Sequence, residues 1–74
     1  MKIHDHIEVN PQIMFGKPVI KGTRVTVELV LQKLAGGMTQ DEIIKDHPNL
    51  KPEDIRAAQQ FAADYLANEE IIYA

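Results

Sequence analysis

The first six residues hold the side chains best suited to metal chemistry. His4, Asp5 and His6 supply two imidazoles and a carboxylate, which are common ligands of transition metals. In an extended segment the two histidines lie on one face, but a stable site needs a third and a fourth ligand, which the sequence does not indicate. The alternative is a solvated N-terminal segment, and we favour it. We therefore expect no metal and no other cofactor.

Residues for nucleophilic catalysis are scarce. The 74-residue chain contains no cysteine, tryptophan or serine, which excludes Ser-His-Asp and Cys-His hydrolases, thiol redox enzymes and cysteine zinc sites. The acidic pairs Asp41-Glu42 and Glu53-Asp54 lie where predicted helices begin, and negative charge is favourable there. They need no catalytic explanation, so we expect no catalytic residue and no enzymatic activity.

A second group of candidate residues is basic. Lys17, Lys21 and Arg24 lie close together and could bind phosphates or an acidic partner. The alternative, which stays open, is a solvated loop in which Arg24 pins a carboxylate. The stretch is not a phosphate loop, because Gly22 is followed by Thr23 and Arg24 rather than by Lys and Ser/Thr.

Charge is distributed unevenly along the chain. Residues 1–33 carry five Lys/Arg and three Asp/Glu, whereas residues 34–74 carry three and eight. The N-terminal half is therefore the better candidate for contact with nucleic acid. Further polar side chains on or near the last predicted helix could touch DNA backbone or base edges. These are Lys45, Lys51, Arg56 and Gln60.

Turn signals and short apolar runs predict the elements that position these residues. Residues 7–9 and 18–21 could pair as a short hairpin. Thr26 caps a predicted helix over residues 27–35, and Thr39 opens a capping box for a short helix that ends near Asp46. Pro52 starts a longer helix that runs to about Asn68.

Helical spacing also predicts which residues are buried. On the last helix, Ile55, Ala58, Ala62, Tyr65 and Leu66 form an apolar stripe with Phe61 beside it. Arg56, Gln60 and Asp64 are expected to face solvent. The order of the three helices and their short connections is that of a helix-turn-helix module, although a small helical domain can have the same order for stability alone.

The length fits one domain. We divide it into a β-rich segment 1–25, a three-helix region 26–68 and a tail 69–74 that is frayed or ordered by a partner. A chain this short, with no disulfide, buries a modest core, which favours either self-association, as a homodimer, or a partner. No apolar run is long enough to span a membrane, and the N-terminus lacks the apolar core of a signal peptide. We therefore expect a cytoplasmic protein.

The stretch Gly16-Lys17-Pro18-Val19-Ile20-Lys21-Gly22-Thr23-Arg24-Val25-Thr26-Val27 resembles the GKPxIxGTRxxV signature of a small prokaryotic family of unknown function. Members of that family are regarded as VapB-like antitoxins. The resemblance extends over roughly Ile7 to Tyr65. It implies a mainly α fold, a homeodomain-like helix-turn-helix domain preceded by a short β segment or hairpin. It also implies a neighbouring PIN-like ribonuclease toxin and repression of the operon by DNA binding.

Together these features lead to one functional hypothesis with two alternatives. We expect an antitoxin that binds a PIN-like toxin and operator DNA, with apolar anchors for the toxin near the C-terminus at Leu66, Ile71, Ile72 and Tyr73. One alternative is a stand-alone helix-turn-helix regulator. The other is a protein-interaction or dimerisation module that never touches DNA.

Overall fold

Three helices lie where the sequence places them. The computed structural model describes residues 1–74. Helix α1 spans Val27–Ala35, α2 spans Gln40–Asp46 and α3 spans Pro52–Leu66. The Thr26 hydroxyl accepts a hydrogen bond from the Leu29 N–H at 3.0 Å, and the capping box at the start of α2 is formed. The predicted helix positions are confirmed, with α3 ending two residues early.

Four short strands form two small sheets. Strands β2 (Ile7–Glu8) and β3 (Val19–Ile20) are antiparallel, with Ile7 opposite Ile20, which confirms the predicted hairpin. Strands β1 (Lys2–His4) and β4 (Ile71–Tyr73) are parallel. We call the β1–β4 pair the terminal sheet, because it joins the first and last residues of the chain.

The prediction of a mainly helical, homeodomain-like helix-turn-helix domain is wrong. The chain forms a mixed α/β fold in which the terminal sheet packs beside α3. The sequence predicts a frayed or partner-ordered tail at residues 69–74. Instead, the Lys2 N–H donates to the Glu70 carbonyl at 2.7 Å, and β4 follows directly. The error arose because this pairing joins segments almost seventy residues apart, which no local pattern reveals.

The core lies between the hairpin and the three helices. Ile7 and Ile20 from the hairpin meet Val30 of α1, Ile43 of α2 and Ile55 of α3, and all five are almost fully buried. Burial of a side chain of this size contributes roughly 1.5–3 kcal/mol of transfer free energy. This cluster therefore holds all the elements except the terminal sheet, which is attached mainly through α3. None of the helices combines the length and apolar character needed to cross a membrane.

Candidate functional site

His4 is a buried anchor between the N-terminus and α3. Its Nε2 lies 2.8 Å from Oδ2 of Asp64, and both side chains are buried. The His4 ring also meets the ring of Phe61 edge-on, with the centroids 5.3 Å apart. The expectation of a solvated N-terminal segment is therefore wrong at His4, which packs against the helix. No three of the chain's His, Asp and Glu side chains are grouped so as to hold a metal ion.

The expectation that Asp64 faces solvent is wrong as well. Burial raises the pKa of its carboxyl. Hydrogen bonds from His4 and Gln60, together with the charge of Lys2, have a larger effect in the opposite direction, so the pKa lies below its usual value. The carboxylate is thus ionised near neutral pH and can only accept, so His4 Nε2–H is the donor. Gln60, a predicted DNA contact, donates to Oδ1 of Asp64 at 2.9 Å.

His6 makes a second link to α3. Its Nδ1 lies 2.9 Å from Oδ1 of Asp54, while the other oxygen of Asp54 accepts the Lys51 backbone N–H at 2.9 Å. Asp54 therefore joins the first turn of α3 to the segment that leads into β2. The two His–Asp pairs fix the N-terminal residues along the helix, and each histidine has a structural task that does not require chemistry.

The two faces of the terminal sheet differ. Because successive side chains of a strand alternate, Ile71 and Tyr73 face α3. Ile71 packs against the core, and the Tyr73 ring lies 6.0 Å from that of Phe61. Ile3 and Ile72 are register partners on the opposite side, 68% and 39% exposed. We call these two residues the outer face of the terminal sheet. The sheet has no third strand, so both of its edges are unpaired.

A second apolar surface is a groove between α1 and α3, of about 480 Å³. We call it the α1–α3 groove. Its apolar walls are Val27, Leu31, Phe61, Ala62, Tyr65 and Leu66. The predicted burial of Tyr65 and Leu66 is wrong, since both are exposed and Leu66 is 80% exposed. No other part of the chain covers the last turn of α3, which leaves this apolar surface open.

The predicted basic residues divide into two groups. Lys17 Nζ donates to Glu28 Oε1 at 3.0 Å, and Lys21 Nζ donates to the Ala74 carbonyl oxygen at 2.6 Å. Arg24 is exposed and forms no ion pair, so it does not pin a carboxylate as the solvated-loop alternative requires. Three further predicted cations are also exposed and without an ion pair. These are Lys45, Lys51 and Arg56.

Comparison with known proteins places the chain in a family. Residues 7–62 match the model of the family described as "Protein of unknown function (DUF433)". The chain belongs to the DUF433 family. An uncharacterized protein of Sinorhizobium fredii, y4eO, is 38% identical over 53 residues, which cover 72% of this DUF433 chain and 24% of y4eO. The chain thus spans about a quarter of the length of that relative.

The fold is also that of a DUF433 member with a crystal structure. The Anabaena variabilis protein superposes with a TM-score of 0.80 over 86% of this DUF433 chain and 63% of its own chain, at 23% identity. At that identity the likeness concerns the fold alone. It agrees with the mixed α/β architecture described above and does not point to a homeodomain-like module.

The family match covers most of one apolar surface of this DUF433 chain and none of the other. Both strands of the terminal sheet lie outside residues 7–62, whereas most of the α1–α3 groove lies inside. Ile72 is a candidate contact predicted from the sequence, whereas Ile3 is not, because nothing local links the two ends of the chain. The exposed Phe15 is not predicted either. The available signal was a large aromatic between Met14 and Gly16 in a turn-rich segment.

Proposed function

We propose that this chain is a non-enzymatic antitoxin that binds a PIN-like ribonuclease through the outer face of the terminal sheet. The observation that supports the proposal is the exposure of Ile3 and Ile72 on a two-stranded parallel sheet. Parallel sheets occur almost entirely with both faces covered, and here Ile3 on the outer face is 68% exposed. A protein partner would cover this face and could add a strand at an unpaired edge.

Charge supports the chemistry of this partner. A ribonuclease that holds an RNA backbone must present a basic surface. The present chain carries a net charge of −3, with eight Asp/Glu against three Lys/Arg in residues 34–74. Glu70 is exposed directly before β4, so one acidic side chain lies beside the apolar outer face. Apolar centre and charged rim are the usual arrangement of a protein interface. Such an antitoxin would act in the cytoplasm beside its toxin.

The test uses the PIN-like ribonuclease encoded beside the gene for this chain. Ile72→Asp and Ile3→Asp should each weaken the binding of that ribonuclease at least tenfold and relieve its inhibition, since each places a charge at the centre of the interface. Val9→Asp is the matched control, because Val9 is also exposed but lies after β2. Wild-type affinity in Ile72→Asp and Ile3→Asp, or no binding by the wild-type chain, would contradict the proposal.

Operator-DNA binding is a second candidate function, and one observation favours it. Arg24, Lys45, Lys51 and Arg56 are exposed cations that no carboxylate neutralises. Each such cation that meets a phosphate releases about one counterion, so its removal lowers the salt slope of binding by roughly one. Lys51→Ala should therefore reduce both DNA affinity and the salt slope. Lys17→Ala is the control, because Lys17 already pairs with Glu28, and equal effects of the two variants would contradict the idea.

A further inference from the structure

Phe15 protrudes from the chain on an unusual backbone. Its side chain is 96% exposed. Met14, Phe15 and Gly16 have φ values of 48°, 59° and 80°, a left-handed conformation that residues other than glycine seldom adopt. The turn is nevertheless fixed, because the Gly16 N–H donates to the Ile13 carbonyl at 3.0 Å and the Lys17 N–H donates to the Met14 carbonyl at 3.1 Å.

No packing within the chain offsets the exposure of the Phe15 ring. The Phe15 ring packs on no neighbour of its own chain, although a large aromatic gains most when it is buried. Backbone strain of this kind persists chiefly at functional positions. We call the Phe15 side chain on its fixed turn the knob, because it is placed to insert into a complementary surface.

A complementary surface lies beside the knob. Lys17 and Pro18 line the α1–α3 groove, and they follow Phe15 by two and three residues, within about 12 Å along the chain. Phe61 forms the buried part of the groove, and Tyr65 lies 6.1 Å from it between ring centroids. A further aromatic ring would extend this pair. The groove volume of about 480 Å³ is in the range of sites that hold compact organic groups.

We infer that the groove is filled by a second copy of this chain, with Phe15 of each subunit inserted into the α1–α3 groove of the other. Because Phe15 precedes the groove residues Lys17 and Pro18 by only two and three positions, one two-fold axis would serve both insertions. A contact of this kind is isologous and closes as a dimer. The Lys17–Glu28 ion pair at the groove then forms part of a polar rim around an aromatic centre, as interfaces commonly have.

This inference does not depend on the proposed function. The dimer uses Phe15 and the α1–α3 groove, whereas the ribonuclease is proposed to bind the outer face of the terminal sheet. A substitution on one surface is therefore expected to leave the other interaction intact, and the two ideas can fail separately.

Sedimentation equilibrium of the full chain over a range of concentrations tests the dimer. The wild type should show a monomer–dimer equilibrium, and Phe15→Ser and Ala62→Glu should each raise the dimer dissociation constant at least tenfold. Phe15 is almost fully exposed and Ala62 lines an open groove, so circular dichroism should show both variants folded. Ile72→Asp is the control and should dimerise like the wild type.

Mixing the two variants distinguishes reciprocal insertion from any other dimer. Phe15→Ser has an intact groove and Ala62→Glu has an intact knob, so a mixed dimer regains one of the two contacts. An equimolar mixture should therefore associate more strongly than either variant alone. A monomeric wild type at several hundred micromolar, a wild-type dissociation constant in Phe15→Ser, or a mixture no stronger than its components would each overturn the inference.

Discussion

Nε2 of His4 lies 2.8 Å from Oδ2 of Asp64, across sixty residues of sequence, and both side chains are buried. A buried carboxylate is costly unless its oxygens are hydrogen-bonded. Here one oxygen accepts from His4 and the other from Gln60. The pair therefore attaches β1 to the second half of α3 and fixes where the terminal sheet lies.

The first prediction concerns the pH dependence that Asp64 imposes. Its pKa is lower in the folded chain than in the unfolded chain, so the folded state binds fewer protons in the acid range. The stabilisation is present above an unfolded pKa of about 3.9 and is lost as the pH falls through the lower, folded pKa. Asp64→Asn should lower the melting temperature at pH 7, with the difference shrinking as the pH falls below about 4.

Thermal unfolding followed by circular dichroism between pH 2 and 7 checks this prediction. Asp5→Asn is a suitable control, because the Asp5 side chain is 74% exposed and its contact with His6 is long, at 3.8 Å, so the profile should change much less. A difference between wild type and Asp64→Asn that stays constant through the acid range would show that the lost stability comes from packing and not from the ionised carboxylate.

The helices were predictable because their signals are local. Thr26 and Thr39 are cap residues, and Pro52 is well placed in a first turn, so each helix start can be found within four residues of sequence. The ends of α1 and α2 follow from Gly36 and Pro48 in the same way, whereas α3 has no such signal and ends two residues before its predicted end. Short-range hydrogen bonds decide these boundaries, and the rest of the chain does not override them.

The terminal sheet and the site around it were not predictable, since they depend on distant partners. Asp64 lies three residues after Phe61, a spacing that places both on the buried side of α3. The residue type alone suggested that Asp64 faces solvent. The donor that makes its burial tolerable is His4, at the other end of the chain. The predicted burial of Tyr65 and Leu66 was wrong for the opposite reason. Their apolar side chains suggested a core position, but no element of the chain covers that part of α3.

The second prediction tests the two faces of the terminal sheet. Tyr73→Ala removes a ring that packs 6.0 Å from Phe61 and should cost about 1–2 kcal/mol of unfolding free energy. Ile72→Ala removes a smaller side chain, 39% exposed on the outer face, and should cost less, about 0.5–1 kcal/mol. Urea unfolding of the two variants gives both values. Equal losses would show that both side chains, not Tyr73 alone, are anchored in the fold.

The third prediction concerns the capping box of α2. Thr39 Oγ accepts the Glu42 N–H at 3.1 Å, and Glu42 Oε1 accepts the Thr39 N–H at 2.9 Å. The hydrogen bond from the Thr39 backbone N–H lowers the pKa of the Glu42 carboxyl most, and the Thr39 side chain lowers it further. Thr39→Ala should cost about 1 kcal/mol of stability, whereas Thr39→Ser keeps the hydroxyl and should cost much less. If urea unfolding shows the same loss for both, the threonine methyl group and not the cap is responsible.

The last prediction compares two glycines with different backbone needs. The turn Ile20–Thr23 is closed by a 3.0 Å hydrogen bond from the Thr23 N–H to the Ile20 carbonyl, and Gly22 holds φ at +79° within it, as the third residue of a type II turn does. A Cβ at Gly22 would meet no neighbouring atom within 4 Å, so any loss in Gly22→Ala reflects the backbone alone. We expect Gly22→Ala to lower the free energy of unfolding by about 1 kcal/mol.

Gly36 is the matched control for Gly22. It ends α1 at φ −78°, which alanine adopts without strain, and the Gln32 carbonyl oxygen would lie 3.4 Å from an added Cβ, an ordinary contact. Gly36→Ala should therefore stabilise the chain by about 0.5 kcal/mol through the unfolded state. Thermal unfolding should thus shift in opposite directions for the two variants. A loss of similar size in both would mean that the added methyl group, and not the sign of φ, determines the effect.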